Sequence, residues 1–200
     1  MTKQLTDFIK VYENAMDSDL CEELIDFYDN HASLAESFQN NGYPSFSRMS
    51  LTSIAGSQEI HEKVFRALLK CNDKYIEELS IDEFPHQYAF EEMIIKRYNN
   101  DGIDQFKTHV DVTSHASAKR FLVFLFYLND VEEGGETGFP RLDLEIKPKQ
   151  GSVLIFPPLW LYKHYGSIPV SNSKYILTTY LHYIDYEIGK EDSGESDLQQ

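Results

Sequence analysis

Cysteine is nearly absent. The 200 residues hold two, Cys21 and Cys71, both on segments with helical apolar spacing. That predicts buried thiols and argues against a disulfide-framed domain. Basic residues are also scarce: 18 Lys and Arg against 33 Asp and Glu, a formal net charge of −15. The chain therefore lacks the basic face that nucleic-acid phosphates require, and its charge favours solubility and attraction of a basic peptide. No apolar run approaches membrane-spanning length, so neither nucleic acid nor membrane is an expected partner. Met1–Ala15 contains Asp7, Lys10 and Glu13 and no apolar run, unlike a secretory signal. The final Asp197-Leu198-Gln199-Gln200 is no endoplasmic reticulum retention signal. A cytoplasmic, reducing setting is the expectation. Also missing are a Ser-His-Asp pattern, paired carboxylates with a pocket signature, a phosphate-cradling glycine loop and any internal repeat.

What is present is an aromatic, strand-forming chain. Hydrophobic residues make up 42%, with 13 Phe and 13 Tyr, which argues for a globular core and against disorder. The length suits one domain. Thr6–Tyr12 reads as an extended entrance. Asp17-Ser18-Asp19 is a helix start, with Glu22 in capping-box position after Asp19, and Leu20, Leu24, Ile25 and Tyr28 recur at helical spacing to about residue 31. Gln39–Gly42 marks a turn, and Tyr43–Ile54 looks extended and polar. Ser57 is placed to cap a longer helix whose stripe is Ile60, Val64, Ala67, Leu68, Cys71 and Tyr75.

From Tyr88 onward the period shortens to two. Strands are expected around Tyr88–Tyr98, Phe106–Asp111, Phe121–Leu128, Leu144–Lys147, Ser152–Pro158 and Lys174–Ile184. Glu132–Thr137 reads as a glycine-containing acidic turn. Phe121–Leu128 is apolar on both parities and should be buried on both faces. At least six strands with short turns point to an antiparallel double sheet or jelly roll, with two helices on the outer face of one sheet. Asp185–Gln200 carries six acids against one Lys and reads as a disordered tail.

The chemistry centres on Phe106-Lys107-Thr108-His109-Val110-Asp111. Residues two apart on a strand share a face, so His109 and Asp111 can grip one metal ion, with His164 as the third ligand. Two imidazoles and a carboxylate on one face of a metal suit non-haem Fe(II) with open positions. His115, in a loop, and His182, near the end of the last strand, read as bland. Further on come Arg120, Tyr127-Leu128-Asn129-Asp130, Glu132-Glu133-Gly134-Gly135-Glu136-Thr137-Gly138-Phe139-Pro140, Pro148–Phe156, and Lys174 ten residues after His164.

This order and spacing resembles the Fe(II)/2-oxoglutarate-dependent dioxygenases, and among them the prolyl 4-hydroxylase-like branch, over roughly residues 90–184. The resemblance implies a mainly β, α+β fold, a double-stranded β-helix (jelly roll) with N-terminal helices on one sheet. Residues 1–184 would form one dioxygenase domain, with 1–87 as helical support and 88–184 as catalytic core, followed by the tail at 185–200. It implies Fe(II), 2-oxoglutarate and O2, with L-ascorbate as reductant. His109, Asp111 and His164 would be the metal ligands. Lys174 would meet the far carboxylate of 2-oxoglutarate, since a buried anion needs a cation, with Thr137 and Tyr98 hydrogen-bonding the cosubstrate. Arg120 would face the active site and help hold a peptide, and Tyr127 would line the same cavity.

The sequence departs from the family in three places. The span from Tyr98 to His109 is longer than usual. Phe106 stands where a tyrosine is common. Tyr180 stands where the last strand often has a tryptophan, and the single Trp, Trp160, lies just before His164. Oxidative decarboxylation of 2-oxoglutarate to succinate, coupled to hydroxylation of a C–H bond, is the implied reaction. Three readings remain open: a peptidyl-proline 4-hydroxylase with a proline-containing peptide or protein as partner, the same chemistry on a free amino acid or other small molecule, and a non-catalytic metal-binding jelly-roll module.

Overall fold

The computed structural model describes residues 3–39 and 45–184. The expected turn beyond Gln39 and the expected acidic tail lie outside the described residues.

Two helices carry the N-terminal part. Helix α1 (Ser18–Asn30) is capped by Asp17, whose carboxylate accepts from the Leu20 N–H at 2.8 Å. The cap is thus two residues earlier than the expected Asp19–Glu22 box, because Asp17 is the residue with extended φ/ψ. Helix α2 (Gln58–Leu79) starts at Ser57, but that hydroxyl turns back to donate to the Ile54 carbonyl instead of capping. Within the expected N-terminal extended segment, Leu5–Phe8 closes into a 3-10 turn before a short strand.

Twelve strands are numbered in chain order: β1 (Lys10–Tyr12), β2 (Glu36–Gln39), β3 (Ser45–Ser50), β4 (Tyr88–Phe90), β5 (Ile94–Tyr98), β6 (Phe106–His109), β7 (Arg120–Tyr127), β8 (Thr137–Phe139), β9 (Leu144–Ile146), β10 (Val153–Phe156), β11 (His164–Gly166) and β12 (Lys174–Tyr183). The major sheet runs β1-β10-β7-β12-β5-β3-β2, with β4 also pairing β12. The minor sheet runs β6-β11-β8-β9. All named pairings are antiparallel. Among the described residues the fold is a mainly β jelly roll with two α-helices.

Alternation along β7 separates two cores. Leu122, Phe124 and Phe126 point to the helices, where they join Leu24 and Tyr28 of α1 and Val64, Leu68 and Tyr75 of α2. Val123, Leu125 and Tyr127 point the other way, into the space between the sheets with Phe139, Phe156 and Ile176. Burying one such Phe or Leu side chain is worth about 1.5–3 kcal/mol, so each face of β7 anchors its own layer. The expected burial of this strand on both faces holds from Leu122 to Tyr127.

Three expectations are corrected. Residues 45–50 are extended as expected but are not a polar surface: Phe46 and Met49 are buried. Thr137 does not end a turn; it begins β8, which pairs with β9 and β11. Asp111 is not on the metal strand, because β6 ends at His109. Strands as short as β8 and β11 show no periodicity at three residues, so they were not legible.

Candidate metal and cosubstrate site

The site lies between the two sheets in a cavity that opens to solvent. His109 on β6 and His164 on β11 are directly opposed across the strand pair. Asp111 follows two residues past the end of β6 and comes within 3.5 Å of His109 Nε2 and 3.6 Å of His164 Nε2. The three ligand atoms all lie within 4.8 Å of one another. Among the described residues no other cluster of three or more His, Cys, Asp or Glu could hold a metal. His115 is exposed, and His182 turns its Nδ1 to the Tyr183 carbonyl, so neither joins the site.

Backbone carbonyls orient both imidazoles. His109 Nδ1 is 2.7 Å from the Lys107 oxygen and His164 Nδ1 is 2.9 Å from the Tyr162 oxygen. A carbonyl only accepts, so each Nδ1 carries the proton and each neutral ring turns an Nε2 lone pair to the centre. Burial pushes the His164 pKa down to about 4, against the pull of Asp111. Burial would raise that of Asp111, but the imidazoles of His109 and His164 beside it outweigh burial and hold it at about 2. Neutral imidazole and carboxylate are the forms a metal binds. Aromatic rings fix the ligands: Phe106 stacks on His109 at 3.6 Å, and Phe156 meets His164 edge-on at 4.8 Å.

Further along the cavity stands Lys174, 2% exposed. Its Nζ donates to the Gly135 carbonyl at 2.8 Å and lies 4.8 Å from the centre of the Tyr98 ring. Tyr98 is its cross-strand partner, because β5 and β12 pair in that register. Burial lowers the amine to about 7. Thr137 lines the same cavity and accepts a 2.8 Å hydrogen bond from the Tyr127 hydroxyl. That bond occupies an oxygen lone pair and leaves the threonine proton available.

Two expected placements differ. Tyr127 is wholly buried and is not a cavity-lining residue; it stands behind Thr137 and touches the site through it. Arg120 does not line the cavity either. Its guanidinium grips Glu91 through two hydrogen bonds of 2.8 and 2.7 Å and stacks 4.1 Å above the Tyr180 ring. Tyr180 does line the cavity. Sequence reasoning passed over Lys96, which also lines the cavity. Its parity with Ile94 and Tyr98 was the available signal.

Residues 93–182 match the family model of the 2OG-Fe(II) oxygenase superfamily. No curated protein matches the chain significantly. Among solved structures, the viral collagen prolyl hydroxylase of Paramecium bursaria Chlorella virus-1, in its 2OG complex, aligns at 22% identity and a TM-score of 0.68, covering 88% of this chain and 97% of that one. A Pseudomonas putida prolyl-4-hydroxylase aligns at 14% identity and a TM-score of 0.68 over 89% and 94%. A Trichoplax adhaerens prolyl hydroxylase, in complex with a hypoxia inducible factor oxygen degradation domain peptide fragment, aligns at 16% identity and a TM-score of 0.67 over 88% and 84%. At these identities the likeness is one of fold.

The match to the 2OG-Fe(II) oxygenase superfamily model spans the stretch that carries His109, Asp111, Thr137, His164 and Lys174. Fe(II) and 2-oxoglutarate are the groups that the superfamily and the triad imply, and the donor set fits the metal. No helix among the described residues is long and apolar enough to cross a membrane.

Proposed function

We propose that this protein is an Fe(II)- and 2-oxoglutarate-dependent hydroxylase of peptidyl proline, a prolyl 4-hydroxylase. His109, Asp111 and His164 hold the iron. Lys174 neutralises the far carboxylate of 2-oxoglutarate, and Thr137 and Tyr98 orient it. L-ascorbate serves as reductant. One observation carries the enzymatic reading: a lysine only 2% exposed shares a cavity with the triad and has no carboxylate in ion-pair distance among the described residues. A structural metal has no use for a second buried cation, whereas a dianionic cosubstrate does. That argues against the non-catalytic metal-binding module. The bound iron and cosubstrate supply the oxygen activation. The chain binds and orients the reactants and dries the site with Phe106, Phe156 and Ile176.

Support for proline in a peptide is the fold likeness to three prolyl hydroxylases. The same oxygenase on a free amino acid or other small molecule is favoured by a different observation: Glu91 already occupies both arms of Arg120, the arginine that would hold a peptide. One experiment separates these readings. Purified protein with Fe(II), ascorbate and 2-oxoglutarate is followed for succinate by NMR, with and without short proline-rich peptides. Peptide-stimulated turnover with a mass gain of one oxygen on proline is expected. Turnover that no peptide stimulates would transfer the reading to small molecules. Absence of succinate from iron-loaded protein would end the enzymatic reading.

A further inference from the structure

Lys96 is a second cation in the cavity, and neither the metal nor the inner end of 2-oxoglutarate calls for it. It lies on β5 two residues before Tyr98, on the same strand face, and pairs across to Ile176 as Tyr98 pairs to Lys174. Two residues of strand span about 7 Å. Lys96 therefore stands one step from the Lys174 level toward Thr178 and Tyr180. That is the end of the cavity at Tyr180, against whose ring Arg120 stacks.

The surroundings leave its charge uncompensated. The Lys96 side chain forms no ion pair or hydrogen bond with a described residue; its Nζ lies over the Phe46 ring, 5.6 Å from the ring centre. Its neighbour across the next strand pair, Arg48, is already held by Glu36 at 2.9 Å. The field of Asp111 favours the Lys96 charge, whereas those of Arg48 and Arg120 oppose it. Withheld water pulls its amine down to about 8. A divalent metal on Asp111 would cancel the one carboxylate field that acts on Lys96. Lys174 has the field of Glu136 and would meet the cosubstrate, whereas the half-buried Lys96 ammonium in the cavity wall has no counter-ion among the described residues.

We infer that Lys96 is the recognition point for a carboxylate carried by the substrate itself, beside the C–H bond to be oxidised. This rests on the hydroxylase reading and names its substrate class: an acidic side chain flanking the target residue of a peptide, or the α-carboxylate of a free amino acid. The acidic surface does not oppose this. Exposed charges are screened beyond about 8 Å at physiological salt, and Lys96 acts at contact.

The test uses full-length, 15N-lysine-labelled protein loaded with Zn(II) and the 2-oxoglutarate analogue N-oxalylglycine. The Lys96 side-chain signal is assigned by its loss in Lys96→Gln. Acetate and acetamide are titrated as minimal probes. Acetate is expected to shift the Lys96 signal saturably, with about tenfold or greater preference over acetamide, and that preference should collapse in Lys96→Gln and persist in Lys96→Arg. Equal responses to the two probes, or an unchanged preference in Lys96→Gln, would overturn the inference. So would movement of the signal to its end point on adding N-oxalylglycine alone, which would make Lys96 a cosubstrate clamp. The source of the carboxylate is read from 2-oxoglutarate turnover by the Fe(II) protein. A blocked Pro-Glu peptide outperforming Pro-Gln marks a flanking acid, and L-proline outperforming prolinamide marks a free amino acid. Failure of the hydroxylase reading would look different: no succinate under any condition, whatever the Lys96 signal does.

Discussion

His109 and His164 face each other across β6 and β11, with ring centroids 4.3 Å apart. Fifty-four residues of chain lie between them, yet a single register of one antiparallel pair sets their distance. Sliding β11 by one residue would turn His164 to the opposite face. The pair needs Asp111 as third ligand, so replacing any one of the three by Ala should cut metal affinity by about 100-fold or more, beyond what loss of a supporting partner costs. Calorimetric titration with Mn(II) or Co(II) reads this directly. Wild-type affinity in Asp111→Ala would remove the triad from consideration.

Lys174 should make cosubstrate binding depend on pH. Its amine sits at about 7 in the folded chain, down from 10.5, because it is buried. Between these values the unfolded chain holds a proton that the folded one has released, so the stability of the ligand-free protein rises with pH across that window. Binding the anion requires the proton back. The Kd for 2-oxoglutarate should therefore rise by up to about tenfold per pH unit above about 7, with net proton uptake. Calorimetry in two buffers of different ionisation enthalpy measures that uptake; its absence above neutral pH would rule out Lys174 as the partner.

Tyr127 acts on the cosubstrate only through Thr137. Tyr127→Phe keeps the ring in its buried slot and removes the 2.8 Å bond. The expected loss of stability is about 1 kcal/mol. The threonine hydroxyl also loses what orients it, so 2-oxoglutarate affinity should fall severalfold. A denaturant midpoint and a 2-oxoglutarate titration on the same variant check the two effects. A stability loss with unchanged affinity would leave Tyr127 a core residue only.

Arg120 and Glu91 form a half-buried bidentate pair. A double-mutant cycle with Arg120→Met and Glu91→Gln should give a coupling of about 1–2 kcal/mol, above that of an exposed surface pair. Glu91→Gln also loosens the grip on the guanidinium. Under the peptide reading, that variant should bind peptide more tightly, and peptide titration is the measurement.

Gly134 has φ +76, and a Cβ there would lie 2.2 Å from the Ile168 carbonyl oxygen. Gly134→Ala should cost about 2 kcal/mol or more from left-handed strain and the clash together. It should also disturb Lys174, whose amine hangs on the carbonyl of the next residue, Gly135. Thermal denaturation and 2-oxoglutarate affinity should worsen together.

The amino-acid sequence by itself determined the helices, the long strands and the residues able to meet a metal and an anion. α1, α2, β7 and β12 are long enough for periodicity to show through, and a histidine, a carboxylate or a lysine on a strand announces its chemistry by type and parity. Tertiary structure decided what those side chains face. The loop course of Asp111 after β6, the three-residue strands β8 and β11, the withdrawal of Tyr127 behind Thr137, the capture of Arg120 by Glu91 and the second cation at Lys96 all come from which strands pair and in what register. Register is set by contacts between residues far apart in the chain, and the one-dimensional pattern that local propensity writes carries no information about such contacts.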